Sequence, residues 1–135
     1  MMKTAVIYWS GTGNTEAMAK AAAEGANAEL FSVSDFSGNI ADYEAFAFGC
    51  PAMGAEVLEE DEFEPFFTDA EASLSGKKVI LFGSYGWGDG EWMRNWEERV
   101  KAAGAELIGG EGFIVNEAPS DEDLDKLKAL AAQLA

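Results

Sequence analysis

No histidine occurs in the 135 residues of this chain, and that absence removes a large block of chemistry. Ser-His-Asp triads, Cys-His dyads and His-ligated metals all need an imidazole. Cysteine is nearly as scarce. The single thiol, Cys50, has no intrachain partner for a disulfide, and no CxxC or Cys/His spacing is present to hold zinc, so a reducing compartment is expected. Basic residues are few: 9 Lys and Arg against 25 Asp and Glu leave a net charge of -16. Such a surface repels nucleic acid and anionic lipid and attracts partners with basic docking patches, an attraction that salt weakens. Solubility alone is the other use of that charge. Charge-free runs of membrane-spanning length are missing, and the apolar run near the N-terminus is too short for a secretory signal. The expected address is the cytoplasm, with neither membrane nor nucleic acid as partner.

What is present is a core. With 48% apolar residues and 12% aromatics, the chain is expected to fold as one domain over residues 1–135, and as a monomer. Apolar runs alternate with helical patterns. Thr4 to Trp9 reads as a buried strand, Asn14 to Glu24 as a helix closed by Gly25, and Glu29 to Val33 and Ala45 to Gly49 as further strands. Pro65 opens a helix, Lys78 to Phe82 is the fourth strand, and Asp89 or Gly90 begins a helix that Gly104 stops. A broken fifth strand, Ala105 to Ile108 with Phe113 to Val115, precedes a helix whose start Ser120 and Asp123 cap. Continuous apolar strands alternating with helices mean an α/β fold, a parallel sheet covered on both faces. The doubly wound order 2-1-3-4-5 places ligands beyond the carboxyl ends of strands 1, 3 and 4.

The loops at those ends are SGTGNT, CPAMGAE and GSYGWGDG. In the first, Gly11 and Gly13 let the backbone curl, while Ser10, Thr12 and Thr15 offer hydroxyls and Asn14 an amide at a helix N-terminus, where anions are favoured. The loop suits a phosphate. It lacks the lysine of a Walker A motif, and the last position of GTGNTE is glutamate where a dinucleotide fingerprint needs glycine. An ordinary capped strand-to-helix turn is the other reading of the same residues. In the third loop, Tyr85 and Trp87 are large aromatics among glycines, and Trp87 offers a stacking face for a flat ring. Met53 can pack its thioether against the other face, or simply fill core. Phosphate on one loop and a ring between the other two describe FMN. A phospho-acceptor receiver on the same strand order needs an acidic pair where Trp9 and Ser10 stand.

The stretches YWSGTGNTEAMA, FGCPAMGAE, EPFF and KKVILFGSYGWGDGEWM, in this order and spacing, make the chain resemble the short-chain, anaerobe-type flavodoxins. The resemblance implies a flavodoxin-like three-layer fold without the long insertion in strand 5. It implies a non-covalently bound FMN and a low-potential one-electron carrier between redox enzymes, not an enzyme. By that resemblance the phosphate lies on Ser10 to Thr15 and the isoalloxazine between Met53 and Trp87. Glu56 accepts from the flavin N3-H, the backbone at Gly54 responds to reduction, Ser84, Tyr85, Gly86 and Gly88 border the ring, and Ala52 and Asn116 contribute. Ala55 stands where the family has aspartate or serine. The alternative on the same fold is an FMN-dependent reductase, which needs an open substrate pocket that Trp87 would obstruct.

Redox tuning follows from the same residues. Reduction to the semiquinone creates an N5-H donor, and a turn at Gly54, free to adopt positive φ, can rotate a carbonyl to meet it. The hydroquinone is anionic beside an unneutralised phosphate and the carboxylates Glu56, Glu59, Glu60, Asp61, Glu62 and Glu64. Each charge at about 10 Å and an effective dielectric near 20 costs about 1.7 kcal/mol, and about 1.4 kcal/mol is ~59 mV per electron. The second potential is therefore expected to be low.

Overall fold

Burial of period two builds the sheet. In the computed structural model, which describes residues 3–11, 13–53, 57–86 and 88–134, successive strand residues face opposite layers. The elements run β1 (Thr4–Tyr8), α1 (Asn14–Ala26), β2 (Glu29–Ser32), β3 (Ala45–Gly49), α2 (Phe63–Glu71), β4 (Lys78–Tyr85), α3 (Glu91–Ala102), β5 (Glu106–Leu107), β6 (Phe113–Asn116) and α4 (Asp121–Ala131), with 3-10 turns at Ile40–Asp42 and Ala132–Leu134. Ala5 and Ile7 of β1, Phe46 and Phe48 of β3, and Val79 and Leu81 of β4 pack with Phe63, Phe67, Trp92, Trp96 and Val100 of α2 and α3. Their neighbours Val6, Ala45, Ala47, Ile80 and Phe82 point the other way, to Met18, Ala19 and Ala22 of α1 and Leu127 and Ala131 of α4. This alternation is what a sheet buried on both faces requires.

Every strand pair is parallel, in the order β2-β1-β3-β4-β5, with β6 also against β4. The expected doubly wound order is therefore present, and its last strand is split. β5 pairs with Lys78 and Val79, and β6 with Phe82 to Tyr85, so each half borders a different end of β4.

The strand ends fall within a residue of expectation for β1, β2, β5 and β6, and the sequence reading is corrected more substantially at three other boundaries. α1 runs through Gly25 to Ala26, and Asn27, with a φ of 53°, makes the left-handed cap. Gly25 is small for another reason: a Cβ there would collide with the Lys128 carbonyl, because α1 and α4 approach closely. β4 continues past Phe82 to Tyr85, since Gly83 lets the strand pass against the Cys50 carbonyl, where a Cβ would not fit. Ser84 and Tyr85 are accordingly strand residues, held rigidly. α2 begins at Phe63, two residues before Pro65, which still falls where the missing N–H has no intrahelical duty. Ser120 and Asp123 form the reciprocal capping box at the start of α4, as expected.

Candidate functional site

Three connections leave the carboxyl edge of the sheet side by side: 9–13 after β1, 50–62 after β3 and 86–90 after β4. Between them opens a cavity of about 390 Å³, lined by Trp9, Gly11, Asn14, Pro51, Ala52, Met53, Ser84, Tyr85, Gly86 and Glu117. Its size lies in the range of small-molecule sites, and its walls are mostly apolar and aromatic with a few polar atoms. No lysine or arginine is among these residues.

At one end lies the amino terminus of α1. Gly13 takes φ 97°, a left-handed conformation that turns the chain into the helix. Ser10 Oγ accepts from the N–H groups of Gly13 (3.1 Å) and Glu16 (3.2 Å). The N–H groups of Asn14 and Thr15 find no acceptor among the described residues. Of the four N–H groups at this helix start, two thus converge on a single oxygen and two have no partner among the described residues. Thr15 and Ser84 are buried, with their hydroxyls 3.4 Å apart, and so join α1 to the end of β4.

Opposite, the connection after β3 is held at several points. Ala52 N–H donates to the Ser84 carbonyl at 3.0 Å, and Met53 N–H donates to the Val57 carbonyl at 3.1 Å, closing a turn. Glu59 is 5% exposed. Its carboxylate accepts from the N–H groups of Asp61 (2.9 Å), Glu62 (2.8 Å) and Phe63 (2.9 Å) at the start of α2. Burial acts to raise its pKa, but these three donors hold it below the usual carboxylate range. Its own N–H reaches Cys50 Sγ at 3.4 Å. Cys50 is fully buried, and desolvation pushes its thiol up to about 12, which leaves it inert. Trp92 Nε1 donates to the Cys50 carbonyl at 3.1 Å. Trp9 Nε1 donates to Glu62 Oε1 at 3.3 Å, joining the connection after β1 to the start of α2.

Of the residues singled out in the sequence, Gly11, Asn14, Ala52, Met53, Ser84, Tyr85 and Gly86 line the cavity. Ser10, Gly13 and Thr15 build the helix start beside it. Gly88 (φ 88°) lies in the loop after β4 without lining the cavity, and Asn116 reaches the Tyr85 carbonyl with Nδ2 at 3.3 Å. Thr12, Gly54, Ala55, Glu56 and Trp87 lie outside the described residues. Trp9, Pro51 and Glu117 line the cavity without having been selected as site residues. Trp9 had a signal, an indole next to the glycine loop. Glu117 had none, because its place follows from φ 60° and an N–H bond to the Tyr85 carbonyl at 2.7 Å.

These features define a class: a doubly wound α/β protein with a helix start open to an anion and a mostly apolar cavity at its switch point. The sequence model of the flavodoxin family, "Flavodoxin", matches residues 6–129. The chain is 52% identical over 122 residues to the flavodoxin of Megasphaera elsdenii, covering 86% of this chain and 88% of that one. It is 45% identical over 126 residues to the Clostridium beijerinckii flavodoxin, covering 89% and 91%. The solution structure of two-electron reduced M. elsdenii flavodoxin superimposes with a TM-score of 0.85, over 96% of this chain and 98% of that one at 45% identity. The chain belongs to the flavodoxin family. Its members are FMN-binding electron carriers, and that reading stands over the reductase alternative.

Proposed function

We propose that this chain seats FMN with its phosphate at Ser10 to Thr15 and its ring in the slot between Met53 and Trp87, and passes single electrons between redox enzymes that meet it with basic patches. The observation that carries the reading is the convergence of the Gly13 and Glu16 N–H groups on one oxygen, at the edge of a cavity walled by Trp9, Met53 and Tyr85. FMN, when bound, supplies the one-electron chemistry.

The residues do the rest. Helix-start donors take a phosphate without any cationic side chain, so the site adds no positive charge to offset the acidic surface. Ser84 and Tyr85, fixed on β4, and Ala52, fixed to Ser84, give the slot a rigid floor. Gly86 lines the slot, and the family resemblance assigns Gly54, Ala55, Glu56, Gly88 and Asn116 to the ring as well, with Glu56 accepting from the flavin N3-H. We read residues 1–135 as one FMN-binding unit, acting as a monomer in the cytoplasm. No helix among the described residues is long and apolar enough to cross a membrane. Purified protein is expected to be yellow, to release FMN on denaturation and to show no steady-state turnover of nicotinamide cofactors with quinones. Colourless protein that takes up no added FMN contradicts the reading, and brisk turnover favours the reductase.

A further inference from the structure

We propose that Glu59 is the positioning residue of the connection after β3 on the ring side of the site, a buried carboxylate that latches this connection, where it leaves β3 at Cys50, to the start of α2. The inference rests on the FMN reading above only for where that loop meets its ligand.

All the hydrogen-bonding groups of Glu59 are engaged. Its carboxylate takes the N–H groups of Asp61, Glu62 and Phe63, its carbonyl takes Glu64 N–H at 2.8 Å, and its N–H reaches Cys50 Sγ. The chain therefore leaves β3 at Cys50 and returns to it at Glu59. Within that closed loop, Ala52 is tied to Ser84 and Met53 to Val57. Ties at Cys50, Ala52, Met53, Val57 and Glu59 leave these residues less freedom to lose, so binding spends less of its free energy on ordering them. Surface acids of the same run lack this role. Glu60 is exposed and shows no such bonds among the described residues, which makes it a charge-matched control.

Glu59→Gln keeps the shape but puts an amide NH2 where a donor already points, leaving at least one of the three N–H groups without its acceptor. Glu60→Gln removes the same charge and no latch. Two readouts decide. In amide hydrogen exchange on the FMN-free protein, Glu59→Gln is expected to speed exchange at Asp61, Glu62 and Phe63 and also at Met53, whose N–H closes the ring-side turn. A capping role limited to α2 would move the first three alone, and that result overturns the proposal. In titrations with FMN, Glu59→Gln is expected to bind roughly tenfold more weakly, a change of ~1.4 kcal/mol, and to shift the gap between the two one-electron potentials. Glu60→Gln, whose charge weighs on the reduced ring, should leave the affinity for oxidised FMN unchanged. Equal effects of the two variants would mean that charge acts without position, and would also overturn it. Wild-type protein that takes up no FMN would instead contradict the functional reading, while the exchange pattern still decides the latch.

Discussion

Gly13→Ala isolates what the start of α1 contributes to binding. Gly13 sits at φ 97°, and a Cβ built there meets nothing within 4 Å, so the substitution adds backbone strain and no collision. An L-residue held in the left-handed region costs about 1–2 kcal/mol. In the free protein the loop can relieve that strain by leaving the conformation that aims the Gly13 and Glu16 N–H groups at Ser10 Oγ. Binding must restore it. Affinity for FMN should then fall roughly 5- to 30-fold, the equivalent of that strain at about 1.4 kcal/mol per decade. Gly76→Ala is the matched control, with φ 80°, equal emptiness around the added carbon, and a place before the other end of β4. It should lower stability in urea by a similar amount and leave FMN affinity alone. Fluorescence titration of both apoproteins reads the difference. Gly13→Ala with lowered stability but wild-type affinity would refute the claim that this backbone conformation is what the phosphate needs.

Cys50 should resist iodoacetamide at pH 8 in the folded protein and react once unfolded, because burial keeps its thiol near 12; rapid native alkylation would contradict that. The Arg99 hydrogen bonds hold the Glu64 carboxyl below its usual range, so the pair stabilises the fold above the unfolded carboxylate pKa and loses its effect as pH falls through the lower folded value. Urea unfolding of Glu64→Gln should accordingly show a deficit of about 1 kcal/mol at pH 7 that fades in acid, and a deficit constant with pH would sink this account. Electron delivery to a basic redox partner should slow as ionic strength rises, given a net charge of -16. A rate flat with salt would leave the charge to solubility.

Much of this could be read in the sequence because two signals are strong here. Apolar runs such as Ala45 to Gly49 have a length and flanks that only a buried parallel strand satisfies, and β3 has those bounds. The split of the last strand was legible too, since Gly109, Gly110 and Gly112 interrupt its apolar pattern. What escaped depends on contacts distant in sequence. Gly25 resembles a helix cap until Lys128 of α4 is seen against it, and Gly83 resembles a loop residue until the Cys50 carbonyl is seen beside it. Glu59 read as one more surface acid in an acidic run. Only its three hydrogen bonds to the start of α2 show it as a buried acceptor. Trp9 and Glu117 join the cavity because β1 and β6 end at the same edge of the sheet, a fact of topology that no local pattern carries.

The account stands most directly on the phosphate, and parallel titrations of the apoprotein with FMN and with riboflavin test it. Two or more charge-assisted hydrogen bonds from the start of α1 should favour FMN by about 3 kcal/mol, roughly 100-fold in affinity. Near-equal affinities for the two would contradict the assignment of Ser10 to Thr15 as the phosphate cradle.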